Sequence, residues 1–294
     1  MIRNLNDGSN NEPSLRTDIC YSNVTSLPGY SSGPRGDDRA LHNAILEAGY
    51  AGVQDGVPEL CRELGLHYSM SGRVVDPEDA GKLAQKCLDR NAECVTVHMG
   101  WGTDTDDHIN HLIESILEAS VKYDVPIYIE THRATATQDL YRTVRMTERF
   151  PEIRFNGDFS HWYNGLEMVY GDINWKFDYL SPVFNRVRFF HGRISDPGCI
   201  QVSIEENDHR DHVQHFREMW TRGMLGFLKS AKKGDYLVFA PELLGPEIHY
   251  ARLIPDSWGN QREASDRWEQ ALLYVRIARE CWDEAKRRLA HQNE

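Results

Sequence analysis

The sequence predicts a (β/α)8 TIM barrel, an α/β fold in which eight parallel strands close into a cylinder inside a ring of helices. Short apolar strand patterns alternate with helical patterns along nearly the whole chain, and eight β-then-α units can be counted. No long linker or low-complexity block separates these units. Because 294 residues suit one such barrel, we expect a single domain over residues 1–294.

A doubly wound open sheet is the competing architecture, since it also alternates strands with helices. Such sheets usually bind a nucleotide through a glycine-rich turn after the first strand. The sequence contains neither a GxGxxG turn nor a Walker loop. The closed barrel is therefore the favoured interpretation.

In the first half of the chain, residues 1–16 are polar and are expected to form a flexible arm before the first strand. Asp76 followed by Pro77 marks one helix start, and Thr105 marks another. The predicted strands cover 17–22, 51–56, 66–71 and 93–99, and the predicted helices cover 37–50, 58–64, 76–92 and 105–123.

The second half repeats the pattern with longer helices. A helical region over 164–184 is interrupted by Gly171 and Pro182, which disfavour a continuous helix. The predicted strands cover 125–131, 154–159, 187–194 and 236–240, and the other predicted helices cover 137–150, 212–233 and 265–288.

The balance of charges disfavours a nucleic-acid partner. Lys and Arg number 33 against 45 Asp and Glu, a net charge of −12, whereas such binding depends on basic residues that neutralise phosphates. No run of about 18 apolar residues is present, so no membrane span is expected. The cysteines form no CxxC pair, and the polar N-terminus lacks the apolar region of a secretory signal, so we expect reduced thiols and a cytoplasmic location.

Four predicted strands end in an ionisable side chain. Glu130 ends VPIYIE, Asp158 follows RFNG, His191 lies in VRFFHGR, and Glu242 follows YLVFAP. In a parallel barrel the carboxyl-terminal ends of the strands meet at one rim, where active sites form. A single glutamate or histidine in such a place is more often a solvated or core residue. The coincidence of four, however, predicts that they converge on one divalent cation.

Three carboxylates and one imidazole form a ligand set rich in hard oxygen donors. This set suits Mn²⁺ or Mg²⁺ better than a structural zinc, and Co²⁺ or a catalytic Zn²⁺ would also fit. A cation bound in this way can polarise a substrate carbonyl, and a nearby carboxylate can then move the proton from the adjacent carbon. Glu130 and Glu242 are the predicted catalytic residues.

Further polar side chains lie near the same strand ends, and we predict that they bind substrate. His161 could instead cap the helix that follows, and Arg193 could be a salt-bridge partner instead of binding a substrate oxygen or phosphate. The predicted substrate-binding residues are His98, His132, His161 and Arg193.

The motifs IETH, GDFSHW, HGR and PELLGP, each at a strand end and in this order, resemble those of the xylose isomerase-like barrel superfamily. More closely, they resemble the sugar phosphate isomerase/epimerase family, which includes D-tagatose 3-epimerase and inosose dehydratase. The resemblance spans residues 37–288. It departs from the family in the long segments 194–211 and 245–259, which would shape the pocket.

The resemblance implies a divalent metal, commonly Mn²⁺, held by Glu, Asp, His and Glu. On this sequence these ligands are Glu130, Asp158, His191 and Glu242. It also implies that Glu130 and Glu242 exchange the substrate proton and that His161 and Arg193 match substrate-binding positions. A sugar or polyol substrate and a homodimer are further expectations from the resemblance.

The leading functional hypothesis is a metal-dependent sugar or polyol isomerase or epimerase that works through an enediolate. A lyase or dehydratase on a keto-sugar or keto-glycoside is the alternative, because it begins with the same proton abstraction. A zinc-dependent abasic-site endonuclease is a third hypothesis, disfavoured by the net charge and by the single clear histidine ligand. A non-catalytic sugar-binding barrel is the fourth.

Overall fold

Eight parallel strands close into a barrel in the computed structural model, which describes residues 1–292. The strands β2 to β9 follow one another around the barrel in chain order. β9 pairs in parallel with both β8 and β2, which closes the ring. The predicted (β/α)8 barrel is confirmed.

The strands are β1 (Leu5–Asn6), β2 (Ser14–Cys20), β3 (Gly52–Gln54), β4 (His67–Val74), β5 (Val95–Met99), β6 (Ile127–Glu130), β7 (Phe155–Asn156), β8 (Val187–Gly192), β9 (Asp235–Pro241), β10 (Leu253–Pro255) and β11 (Gln261–Glu263). The helices are α1 (Asp38–Glu47), α2 (Pro58–Leu64), α3 (Pro77–Asp89), α4 (Asp106–Tyr123), α5 (Leu140–Arg149), α6 (Ser160–Gly165), α7 (Ile173–Tyr179), α8 (Ser181–Phe184), α9 (Asp211–Leu228) and α10 (Arg267–Gln292). None of these helices combines the length and the apolar character needed to cross a membrane.

Local capping explains several helix starts. The side chain of Asp76 caps α3 in a reciprocal capping box with Asp79, and Pro77 occupies the first turn. The Thr105 hydroxyl accepts a hydrogen bond from the backbone N–H of His108 and caps α4. Both caps agree with the sequence expectation.

The region around β7 differs from the sequence expectation. The strand predicted over 154–159 covers only Phe155–Asn156, and its register with β8 is irregular. The chain then turns, because the carboxylate of Asp158 accepts hydrogen bonds from the backbone N–H and the hydroxyl of Ser160. Helix α6 therefore begins at Ser160, earlier than predicted.

The structure corrects the expected flexible arm over residues 1–16. β1 pairs antiparallel with β9, and β2 begins at Ser14. Ile2 and Leu5 are buried against the barrel. The apolar residues in this polar stretch are few, but they cover the amino-terminal end of the cylinder and order the segment.

An ionic cluster lies near the amino-terminal ends of the strands, away from the rim that carries the predicted site. Arg16 binds the carboxylates of Asp18 and Glu93, both at 2.7 Å. Glu93 also accepts a hydrogen bond from Nδ1 of His67 at 2.5 Å and one from the Tyr236 hydroxyl at 3.2 Å. These contacts tie together β2, β4, β9 and the start of β5.

The segment between β9 and α10 extends over the carboxyl-terminal end of the barrel. It contains the antiparallel hairpin of β10 and β11. Tyr250 precedes this hairpin and is half-buried. This segment is the long loop that the sequence indicated as a departure, and it brings an aromatic ring to the predicted site.

Candidate metal centre and active site

The four predicted metal ligands come together at the carboxyl-terminal rim. Glu130 is the last residue of β6, Asp158 lies two residues after β7, His191 lies in β8, and Glu242 directly follows β9. One ligand atom from each of these four side chains lies within 4.8 Å of the others. Residues far apart in the sequence thus form one compact donor set.

Burial makes this set chemically unusual. Glu130, Asp158 and His191 are exposed by only 2%, 0% and 1%, respectively. Carboxylates so far from water need a compensating positive charge, because an unpaired buried charge costs several kcal/mol, on the order of 3–5. Such a cluster requires a cation, a proton or a guanidinium at its centre.

The imidazole of His191 faces two of the carboxylates. Its Nδ1 lies 3.3 Å from Oε2 of Glu130 and 3.5 Å from Oε2 of Glu242, without a hydrogen-bond partner among the described residues. Burial lowers the pKa of His191, but the charges of Glu242 and Glu130 outweigh it and hold the pKa well above its usual value. An orphaned ring nitrogen among carboxylates fits a divalent cation, and these donors are the type that Mn²⁺ and Mg²⁺ prefer.

Gln54, at the end of β3, orients this imidazole, and the sequence reasoning missed it. Its Oε1 lies 2.6 Å from Nε2 of His191 and accepts the ring N–H. The same oxygen contacts Sγ of Cys20 at 3.1 Å, and Nε2 of Gln54 donates to the Thr96 hydroxyl at 3.0 Å. A polar residue that ends an apolar strand was the available signal, as it was for Glu130.

Arg193 is fully buried and joins two of the candidate ligands. Its guanidinium binds Oδ2 of Asp158 at 2.9 Å and also contacts Oε2 of Glu242. Burial raises the pKa of Asp158, but the Arg193 charge outweighs this effect and lowers that pKa overall. The salt bridge considered from the sequence is present, and the substrate-binding role of Arg193 stays a prediction.

The two candidate proton-transfer residues sit in different surroundings. Glu130 accepts from the Asn156 amide at 3.1 Å, and Nε2 of His98 lies 3.3 Å from its other oxygen. Burial opposes ionisation of Glu130, but the charge of His191 outweighs it and the pKa falls well below its usual value. Burial raises the pKa of Glu242, and His191 and Arg193 only partly offset this effect.

Three histidines form a row along one side of the cluster. The rings of His98 and His132 are 4.1 Å apart, and those of His132 and His161 are 3.8 Å apart. Burial and the neighbouring charge of His161 lower the pKa of His132 to about 3. His132 is therefore a neutral imidazole at physiological pH, suited to hydrogen bonding.

His161 does not cap α6, because the N-cap residue is Phe159 and no side chain caps that helix. Its Nε2 lies 3.4 Å from Oδ2 of Asp158, and neither ring nitrogen has a hydrogen-bond partner among the described residues. The predicted alternative of a helix cap is therefore excluded. The free nitrogens face the side of the cluster that the other histidines line.

His98, Glu130 and His132 also bring ligand atoms within 4.8 Å of one another. The tautomer of His98 argues against a second cation there. A guanidinium nitrogen of Arg73 donates to Nδ1 of His98 at 3.2 Å, so the ring hydrogen lies on Nε2, facing Glu130. A metal on Nε2 would need that hydrogen on Nδ1, against Arg73, so the geometry favours a single cation.

Tyr250 closes the mouth of the site. Its hydroxyl lies 3.3 Å from Nε2 of His132, whose Nδ1 donates to the carbonyl of Arg133. The guanidiniums of Arg193 and Arg133 lie 4.5 Å and 5.2 Å from the Tyr250 ring. The loop before β10 therefore contributes a half-buried aromatic cover over the predicted substrate pocket.

Comparison with known proteins was informative only at the level of structure, since no protein-family model and no curated protein matches the sequence. A D-tagatose 3-epimerase-like protein has a TM-score of 0.54 at 12% identity, over 93% of this chain and 99% of its own. A probable 3-DHS dehydratase from Bacillus anthracis has a TM-score of 0.52 at 14% identity, over 79% and 94%. A xylose isomerase-like TIM barrel protein from Mycobacterium smegmatis, in complex with magnesium, has a TM-score of 0.54 at 11% identity, over 92% and 97%.

At these identities the likeness establishes a shared fold. The chain shares the TIM-barrel fold of these proteins, and the fold that the motif resemblance implies is confirmed at that level. The ligand set and its chemistry rest on the residues of this chain.

Proposed function

We propose that this protein is a divalent-metal-dependent isomerase or epimerase of a sugar or polyol. The observation that carries the proposal is the convergence of Glu130, Asp158, His191 and Glu242 within 4.8 Å at the carboxyl-terminal rim. Mn²⁺ is the proposed cation, with Mg²⁺, Co²⁺ and Zn²⁺ as alternatives. The magnesium complex of a protein with the same fold supports a divalent ion.

Chemically, the site needs an acceptor for a carbon-bound proton. A divalent cation held by the four residues would polarise a substrate carbonyl and acidify the neighbouring C–H bond. Glu130 and Glu242 both flank Nδ1 of His191 beside the proposed cation site, which supports a proton-accepting role for each carboxylate. If the other glutamate is protonated at the start and delivers its own proton to the opposite face of the same carbon, that carbon inverts. If a proton is instead delivered to the adjacent carbon while the hydroxyl proton passes to the former carbonyl oxygen, the sugar is isomerised.

The surrounding residues have distinct proposed roles. Arg193 orients Asp158 and Glu242 through its buried salt bridges. His132 offers Nε2 to a substrate hydroxyl once Tyr250 withdraws, and His161 offers two unpartnered ring nitrogens. His98 donates toward Glu130 and lines the same wall. By excluding water, Tyr250 would protect the deprotonated substrate.

A lyase or dehydratase is the second candidate function. Elimination begins with the same proton abstraction and differs only in the departure of a leaving group. The same fold in a probable 3-DHS dehydratase supports keeping this candidate.

The test is incubation of the Mn²⁺-loaded protein with a panel of keto-sugars in heavy water, followed by mass spectrometry. Incorporation of deuterium without another change in mass supports isomerisation or epimerisation. Loss of water or of an aglycone supports the lyase. If neither occurs with any keto-sugar, the isomerase proposal and the lyase alternative both fail.

Two further measurements address the remaining hypotheses. If purified protein contains no stoichiometric divalent metal and added Mn²⁺ does not raise the melting temperature, a non-catalytic barrel is favoured. Cleavage of abasic DNA would favour the endonuclease. The single domain over 1–294, the homodimer and the cytoplasmic location stay predictions, which light scattering and fractionation can check.

A further inference from the structure

Two arginines at the mouth of the site have no acidic partner. The guanidinium of Arg73 stacks on Trp101 at 4.4 Å and donates to Nδ1 of His98. The guanidinium of Arg133 stacks on Tyr250 at 5.2 Å. Within residues 1–292, neither guanidinium forms an ion pair with a carboxylate. Both therefore keep donor groups available at the opening.

The two arginines flank the histidine row. Arg73 lies in β4 directly opposite His98 of β5 in the strand register. Arg133 is connected to His132 through the Tyr250 ring, whose hydroxyl contacts Nε2 of that histidine. Since the rings of His98 and His132 are 4.1 Å apart, the two arginines contact neighbouring groups of one cluster.

The charges of the neighbouring site residues indicate what the two arginines could bind. Inside the site, the charges of Glu130, Asp158 and Glu242 would be matched in number by Arg193 together with one divalent cation. A neutral sugar would need no further charge at the mouth. Two more arginines without a carboxylate partner therefore add positive charge beside this site in a chain whose net charge is −12.

We propose that Arg73 and Arg133 form an anion subsite for a carboxylate or phosphate group on the substrate, at the end remote from the carbon that exchanges its proton. This inference rests on the proposed function and names the substrate class as an acidic sugar. Stacking on Trp101 and Tyr250 holds each guanidinium plane in place while its edge N–H groups stay free. Such edges bind carboxylates and phosphates through paired, charge-assisted hydrogen bonds.

The test uses three ketoses that differ only at C6, namely D-fructose, D-fructuronate and D-fructose 6-phosphate. Isothermal titration calorimetry with the full-length, Mn²⁺-loaded protein measures each dissociation constant. At least one anionic probe should bind about tenfold or more tightly than D-fructose, as expected for a charged hydrogen bond. The preferred anion identifies the group as a carboxylate or a phosphate.

The double variant Arg73→Gln, Arg133→Gln should bind the preferred anion no more tightly than it binds D-fructose, so the advantage is measured as the ratio of the two dissociation constants within each protein. A charge-matched control is Arg145→Gln, Arg287→Gln, which removes two exposed arginines that pair with Glu148 and Glu284. This control should keep the full preference for the anion. Added salt should weaken the anionic probe and leave D-fructose unaffected.

The inference is overturned if wild-type protein binds all three ketoses equally, if it binds neither anion, or if the double variant retains the preference. A separate Mn²⁺ titration of the ligand-free protein addresses the proposed function. Absence of Mn²⁺ binding would defeat the proposed function alone, because the anion preference can still be measured in the metal-free protein.

Discussion

Nε2 of His191 donates its hydrogen to Oε1 of Gln54 across a distance of 2.6 Å. This bond joins β8 to β3 and determines the tautomer of the imidazole. Because the hydrogen bond to Gln54 uses Nε2, Nδ1 is the nitrogen that faces Glu130 and Glu242, and its lone pair is available to a cation when the ring is neutral. In metal sites such outer partners orient the ligand and are required for full affinity.

We expect the substitution Gln54→Leu to weaken Mn²⁺ binding by about 10–100-fold, because Nε2–H of His191 loses the amide oxygen that accepts it. Calorimetric titration of the metal-free protein would measure the change. Circular dichroism should show an intact fold.

Gln54→Glu is the matched control, since a carboxylate also accepts the N–H of His191. It should bind Mn²⁺ more tightly than Gln54→Leu. Equal affinity of Gln54→Leu and wild type would contradict the orienting role.

Glu242→Gln should abolish deuterium exchange into the substrate and leave the protein folded. The amide cannot accept a carbon-bound proton and is a weaker metal ligand than the carboxylate. In the metal-free protein, loss of one negative charge beside Glu130 and Asp158 relieves repulsion, so the melting temperature should not fall. Mass spectrometry in heavy water and thermal unfolding measure the two effects, and full activity of this variant would refute the proton-transfer role.

Tyr250→Ala should expose His132 to the solvent, because the phenol covers its Nε2. The rate of modification of His132 by diethyl pyrocarbonate should rise several-fold, as followed by mass spectrometry. The exposed His111 provides an internal reference whose rate should not change.

Tyr250→Phe separates the two contributions of this side chain. It keeps the ring over Arg193, an interaction worth about 0.5–2 kcal/mol, and loses only the hydroxyl contact. Its modification rate should therefore lie between those of wild type and Tyr250→Ala. A rate for Tyr250→Ala no higher than wild type would show that the loop does not cover the site.

The ionic cluster at the opposite end of the barrel predicts a loss of stability in acid. Burial alone would raise the pKa of Glu93, but the hydrogen bond from His67 and the charge of Arg16 outweigh it and hold the pKa at about 2. Since an unfolded glutamate titrates near about 4.3, Glu93 stabilises the fold above that pH. The stabilisation should disappear as the pH falls from about 4.5 to about 2.

Glu93→Gln isolates this contribution. At pH 7 the variant should melt about 2–5 °C below wild type, since it loses hydrogen bonds to a charged group. The difference should shrink as both proteins are titrated toward pH 2.5. If the difference in melting temperature does not change with pH, the charge of the Glu93 carboxylate does not account for the difference in stability.

The barrel and the four candidate ligands could be predicted from sequence because both depend on local rules. Period-two and period-3.6 apolar patterns distinguish strands from helices, and parallel strands place their last residues at a common rim. Glu130, Asp158, His191 and Glu242 each end or follow an apolar run, so their shared position needed no knowledge of side-chain contacts.

Partnerships between distant side chains could not be predicted in this way. Gln54 and His191 are 137 residues apart, and only closure of the ring brings β3 across from β8. The position of Tyr250 over the site depends on the conformation of an irregular loop, and no repeating sequence pattern predicts that conformation. The polar composition of the amino-terminal segment predicts a loose arm. Only the structure shows that two of its apolar residues, Ile2 and Leu5, are buried.

The sequence alone therefore determined the alternation of elements, the fold class and the candidate donor set, because each follows from residues close together along the chain. Tertiary structure decided which nitrogen of His191 faces the carboxylates and that the buried Arg193 joins Asp158 to Glu242. It also decided that Arg73 contacts His98 and that Arg133 contacts the ring of Tyr250. These features depend on barrel closure and loop packing, which bring side chains together regardless of their spacing in sequence.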